Sequence, residues 1–344
     1  MRKIVIDCAG GDNSPNAPIE GALSALEKFP DLYVILCGKE EEISSILSEK
    51  AYDGGRVEIL NASDVITCHD KPTDAVRLKK DSSMMRSLKL LREDDGIFGM
   101  VSTGSTGALV CGATLRIGRI KGVIRPAFCP ILPTMDGGIV GICDTGANID
   151  ITPEHLRQFA VMGSLYLRCA FGVESPNVGL LNIGTEAEKG DVLRKEAYPL
   201  LSATEEIRFG GNMEARELLE GKFDLVCCDG FSGNVLIKAT EGACLEMLKK
   251  LKKDIFSSWK NKLGAFIMRK MFAETKEFMN YQNYGGSVLL GTSKVIVKGH
   301  GSSDARAVCA CISQAYRMES ASYVECVEDA LLKIEQRNRE KENV

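Results

Sequence analysis

The sequence predicts an α/β protein whose strands form a mostly parallel sheet covered on both faces. Two observations predict it. Short apolar runs recur at residues 3–8, 33–37, 97–101, 139–143, 178–183, 225–228 and 294–297, and each leads through glycine or polar residues into a longer stretch of helical period. A run that is apolar throughout, rather than alternating, suits a strand buried on both faces. A helix between such strands returns the chain so that the next strand can lie parallel to the last.

Taken in order, the strand at 3–8 feeds a helix near 17–28, and the strand at 33–37 is followed by a helix over 74–93. The strand at 97–101 meets a helix at 107–117. The strand at 139–143 meets one at 153–169, where Pro153 suits a first helical turn and Thr152 its cap. The strand at 178–183 leads to a helix at 189–204, and the last strand, 294–297, to one at 303–318. EQRNREKENV at the C-terminus reads as a charged, frayed tail. With no repeat, low-complexity segment or linker to divide it, the chain of 344 residues is expected to form one catalytic domain, with a helical excursion over about 244–280.

Composition narrows the function. The 43 Lys and Arg residues nearly balance 47 Asp and Glu, a net charge of -4, so no overall field attracts nucleic acid. Thirteen cysteines lie scattered, mostly inside apolar runs, which reads as reduced thiols packed as small hydrophobes in a cytoplasmic protein. Neither Cys227-Cys228 nor Cys309 with Cys311 has zinc-site spacing, and only three histidines are present, so no metal is expected. No window approaches 18 consecutive apolar residues, so no membrane span is expected.

Six polar, glycine-rich loops all follow strands: DCAGGD (7–12), STGSTG (102–107), CDTGANID (143–150), NIGTEAEKG (182–190), CDGFSGN (228–234) and GHGSSDA (299–305). Ligands of open parallel sheets bind beyond the carboxyl ends of the strands, so six such loops at one edge point to a shared active site. In the second loop, Ser102, Thr103, Gly104, Ser105, Thr106 and Gly107 precede a helix start, where free backbone N–H groups and the helix dipole favour an anion. The alternative is that the hydroxyls only cap the helix. No lysine follows Gly107 as a P-loop needs, and the three-glycine dinucleotide spacing is missing, so a nucleotide is not implied.

Acid–base machinery is sparse. Ser302, His300 and Asp304 are neighbours on one loop and ill placed for a triad. His155 reads as a first-turn surface residue, His69 as a loop hydrogen-bonder, and Cys228 as a buried strand-end thiol. The donors and cations that remain are Asn148, Asn182, Lys189, Asn234, Lys238 and the basic run Arg77, Lys79 and Lys80. They suit binding an anion and stabilising an oxyanion. Phosphate attacking an activated acyl group is such a reaction, and it needs no protein nucleophile and no cofactor.

Together these motifs resemble the PlsX family of acyl-acyl carrier protein:phosphate acyltransferases. The matching stretches include IDCAGGD, KPTDAVRLKKDSSM, VSTGSTGALV, RPAFCPILPT, CDTGANID, NIGTEAEKG, CCDGFSGNVLIKATEG and KVIVKGHGSSDA, in order over nearly the whole chain. Thr103, Ser105 and Thr185 depart from the residues frequent there. The resemblance implies a three-layer α/β/α sandwich like that of the isocitrate and isopropylmalate dehydrogenases. It also implies a homodimer that transfers a long acyl chain from acyl carrier protein to inorganic phosphate and meets the membrane surface peripherally. It assigns Lys189 and Asn234 as catalytic, with phosphate on the 102–107 loop. Asn148, Asn182 and His300 are further expected substrate-binding residues. A short-chain phosphate acetyltransferase using coenzyme A is the nearest rival, and an NAD(P)-dependent dehydrogenase of the same architecture a more distant one.

Residues 244–276 carry lysines or arginines at 249, 250, 252, 253, 260, 262, 269, 270 and 276 around an apolar set at three- and four-residue steps, including Leu251, Trp259, Leu263, Phe266 and Met271. That is the pattern of an amphipathic interfacial helix. The bland reading puts the stripe in the core or a dimer interface. With the resemblance, Lys252, Lys253, Lys260 and Lys262 become candidate contacts for the acidic carrier protein or an anionic membrane.

Overall fold

The computed structural model describes residues 1–278 and 284–342. The chain runs β1 (Arg2–Asp7), α1 (Asn16–Lys28), β2 (Leu32–Gly38), α2 (Glu40–Ser48), β3 (Val57–Asn61), α3 (Pro72–Leu78), α4 (Ser83–Glu93), β4 (Ile97–Ser102) and α5 (Thr106–Arg116). It continues β5 (Ala127–Cys129), β6 (Ile131–Pro133), β7 (Ile139–Cys143), α6 (Pro153–Phe171), β8 (Asn177–Asn182), α7 (Val192–Ser202), β9 (Arg208–Glu214) and β10 (Leu225–Cys227). Then come α8 (Gly230–Phe256), α9 (Trp259–Ile267), α10 (Arg269–Phe278), β11 (Ser287–Leu290), β12 (Val295–Lys298), α11 (Ala305–Ser320) and α12 (Tyr323–Glu342).

The α/β class is as expected, but the strands fall into two sheets rather than one. The first has the order β3-β2-β1-β4-β12-β11-β5, parallel except around β11. The second has the order β6-β7-β10-β8-β9, parallel except for β6. The chain changes sheet at Pro130, which separates β5 from β6.

Local chemistry explains the other differences. The helix expected over 74–93 is two, because Ser82 caps α4 by accepting the Met85 N–H at 3.4 Å. Five strands escaped the sequence reading: β5 and β6 have three residues each, β9 contains two glycines, and β3 and β11 are short. The tail is helical as far as Glu342 rather than frayed; residues 343–344 lie outside the described residues.

Helix α6 is buried on almost every side, as a helix between layers must be, and it shares one apolar cluster with β1, β8 and β10. His155 is therefore not a surface residue: it is 7% exposed, and its Nδ1 accepts the Thr152 N–H at 2.9 Å to close the cap of α6. All thirteen cysteines are free thiols, eight of them buried. Among the described residues no helix is long and apolar enough to cross a membrane.

Candidate active site

Two strand ends and a helix start build the site. At the end of β4, Ser102 Oγ donates to Asp7 Oδ2 at 2.7 Å and accepts the Gly104 N–H at 3.1 Å, tying the loop after β4 to the end of β1. Burial raises the Asp7 carboxyl above its ordinary value, partly offset by hydrogen bonds from Ser83 and Ser102. Gly11 packs so closely on the Thr103 hydroxyl that a Cβ there would overlap it. Thr103 is buried, and its hydroxyl has no hydrogen-bond partner. Ser105 occupies the cap position of α5 without using its side chain, so the hydroxyls of this loop do not serve merely as caps. Thr106 stands exposed at the first turn of α5.

The loop after β12 adds a cation that the sequence reading missed. Lys298 is 8% exposed, and its Nζ donates to the carbonyl oxygens of Thr103, at 3.4 Å, and of Gly299. Burial lowers its pKa to about 8, although Cys311, Asp7 and Asp12 favour the charged form. Two residues on, His300 Nδ1 lies 2.8 Å from Ser302 Oγ and also accepts the Ser302 N–H. Partial burial and the nearby Lys298 and Lys238 lower the imidazole. Asp304 caps α11, accepting the Ala307 N–H at 2.9 Å.

Helix α8 closes the third side. Asp229 caps it, accepting the Ser232 N–H at 2.8 Å and pairing with Arg194 at 2.7 Å. A Cβ on Gly230 would stand 2.5 Å from the Asn148 carbonyl oxygen, and one on Gly233 would overlap the Asp144 carbonyl oxygen. Only glycine permits this approach, which sets Asn234 at the cavity wall. The cavity, about 190 Å³, brings together Thr106, Thr145, Asn234, Lys238, Lys298 and His300 over an apolar floor that includes Phe128, Leu132 and Ile237. Lys238 is paired with Glu241 at 3.0 Å.

Several expected site residues lie elsewhere. Asn148 spends both amide hydrogens, on the Pro126 carbonyl at 2.7 Å and on Asp144 Oδ2 at 2.9 Å, bracing the 144–148 loop. Asn182 organises its own loop, donating to the Lys189 carbonyl at 3.0 Å and accepting the Ile183 N–H. Lys189 is exposed and does not line the cavity. Its neighbour Gly190 borders a separate groove of about 590 Å³, lined by Leu181, Ile183, Phe231, Val235, Leu236 and Ala239 on the opposite flank of α8. Gly107 packs against Pro72, where a Cβ would stand 2.7 Å away. Of the basic run, Lys79 is paired with Asp70 at 2.8 Å and Arg77 faces Asp74 at 3.8 Å; Arg77, Lys79 and Lys80 all lie off the cavity wall. The thiol of Cys228 is raised well above its ordinary value by burial and donates to the Asp144 carbonyl at 3.3 Å. Asp7 and Lys298 were not singled out in the sequence; each is the polar last residue of its strand, β1 and β12, shortly before glycines, and that position was the available signal.

The apolar stripe of the 244–276 segment does not enter the core. Beyond Ile237 no residue of α8 is buried, nor is any of α9, and Trp259 is 71% exposed. Lys252, Lys253, Lys260 and Lys262 are exposed. Lys249, Lys250 and Lys270 pair with acids along the helices. Residues 279–280 of the expected excursion lie outside the described residues.

The fold is similar to that of solved phosphotransacylases. A phosphotransacetylase from Streptococcus pyogenes superposes with a TM-score of 0.59 at 18% identity, covering 92% of this chain and 94% of that one, a likeness of fold alone. Sequence is more specific. The family model "Fatty acid synthesis protein" matches residues 2–325. A phosphate acyltransferase of Halalkalibacterium halodurans is 42% identical over 98% of this chain and 99% of its own, and one of Shouchella clausii is 44% identical over 92% and 94%. The chain belongs to this fatty acid synthesis protein family, the PlsX family its motifs resemble.

Proposed function

We propose that this enzyme moves a long-chain acyl group from the thioester of acyl carrier protein to inorganic phosphate, releasing acyl phosphate and the free carrier-protein thiol. The observation that carries the reading is the convergence of the α5 N-terminus, His300 and Asn234 on one small cavity in a chain whose relatives are phosphate acyltransferases. Phosphate, already partly a dianion at neutral pH, sits against Thr106 and His300 and attacks the thioester carbonyl directly. Asn234 donates to the tetrahedral oxyanion, which collapses with expulsion of the carrier thiolate. The buried Cys228 thiol is unfit to act as an intermediate nucleophile.

The apolar groove on the other flank of α8, bordered by Gly190 next to Lys189, takes the acyl chain. The exposed basic residues of α8 and α9 meet the acidic carrier protein and an anionic membrane surface, and their apolar stripe pairs two copies of the chain. Purified protein given palmitoyl carrier protein should consume it only when phosphate is added. Turnover of acetyl-coenzyme A in preference would replace this reading with the short-chain acetyltransferase.

A further inference from the structure

We infer that Lys298 is the residue that binds the transferable phosphate, and that Asp7 positions it from behind. The inference rests on the acyltransferase reading and adds a catalytic residue to it.

The argument begins with hydrogen-bond capacity. An ammonium has three donors. Lys298 gives one to the Thr103 carbonyl and one to the Gly299 carbonyl, so the loops after β4 and β12 clamp it in place. It forms no ion pair among the described residues, although Asp7 and Asp12 act on it electrostatically. A cation nine-tenths buried without a contacting anion is costly, and charge-paired burial is the rule. Lys298 lines the cavity beside Thr106 and His300, where an anion would take its third donor. Thr103, whose own carbonyl holds the lysine, also has a buried, unpartnered hydroxyl. Asp7 does not touch the ligand space. Fixed by Ser102 Oγ at 2.7 Å and the Ala9 N–H at 3.2 Å, it lends negative charge that keeps the buried lysine protonated.

The groups facing Lys298 are Asp7 on β1, Asp12 in the loop after it, Cys311 on α11 and His300 on its own loop; Lys238 and Glu241 of α8 line the same cavity. Burial dominates, so the ammonium loses its proton near pH 8. Below that pH the charge is present and phosphate is held; above it the charge, and with it the affinity, declines.

Calorimetric titration with inorganic phosphate, alongside steady-state kinetics, tests this. Phosphate affinity of the wild type should fall as pH rises through about 8. Lys298→Met should weaken phosphate binding and raise its KM roughly 10- to 100-fold, as loss of a charge-assisted bond does, while the KM for acyl carrier protein stays put. Asp7→Asn should move the alkaline decline to lower pH, a shift that a purely structural role would not produce. Circular dichroism confirms that the variants fold, and the wild-type pH profile needs no variant at all. Unchanged phosphate affinity in folded Lys298→Met, or a pH profile flat through 8 to 9, overturns the inference. A wild type that binds phosphate in this way but never turns over palmitoyl carrier protein would instead sink the acyltransferase reading and leave the anion site standing.

Discussion

Between Gly230 and Ile237, helix α8 is pressed onto the 144–148 loop with backbone against backbone, and Gly230, Gly233 and Ile237 are buried. From Leu245 outward the same helix, with α9 after it, leaves Met247, Phe256, Trp259 and Phe266 in solvent, and a Cβ on Gly242 or Gly264 would meet nothing within 4 Å. One continuous helix therefore does two jobs. Its inner turns, packed closely on that loop, hold Asn234 at the cavity wall. Its outer turns bury no residue against the described residues, the property of a surface meant for another molecule. A residue in the inner part should matter through geometry and chemistry, and one in the outer part through encounter.

The comparison can be broken most forcefully at Gly233. Gly233→Ala drives a methyl into the Asp144 carbonyl and to 2.8 Å from Cys228 Sγ, and should cost about 3 kcal/mol and nearly all activity, read by thermal melting and the acyl carrier protein assay. Melting within 1 °C of wild type would mean the inner turns are not tightly held. Next in size is Asn234→Ala, which removes an exposed side chain and should leave stability intact while lowering kcat about 100- to 1,000-fold. Smaller again is charge reversal at Lys252, Lys253 and Lys260, expected to raise the KM for acyl carrier protein several-fold at low salt and to lose that effect as ionic strength rises. The smallest effect belongs to Gly242→Ala, which should stabilise the outer helix by about 0.5–1 kcal/mol with no change in turnover.

Much of this was legible in the sequence, because the seven apolar runs and the glycine loops between them are local signals, and Asn234 follows directly from the CDGFSGN loop. The division into two sheets was not, since it depends on a crossing at Pro130 between strands of three residues, too short to show a period, and on a return from β10 to β11. Asn148 and Asn182 have the chemistry of ligand-binding residues, but folding commits their amides to neighbouring backbone. Lys189 and Asn234 belong to adjacent strand-end loops, yet α8 stands between the groove beside one and the cavity beside the other. Lys298 shows the converse: tertiary burial is what turns a lysine at a strand end into a site residue.

Side-by-side steady-state kinetics of Asn234→Ala and of the triple reversal Lys252→Glu, Lys253→Glu and Lys260→Glu, with palmitoyl carrier protein and phosphate, test the division of α8 most directly. The inner variant should lose kcat at a nearly unchanged KM for carrier protein, and the outer variant should keep kcat and lose KM in a salt-dependent way. An Asn234→Ala enzyme with wild-type kcat, or an outer variant whose defect lies in kcat at every ionic strength, would contradict the account.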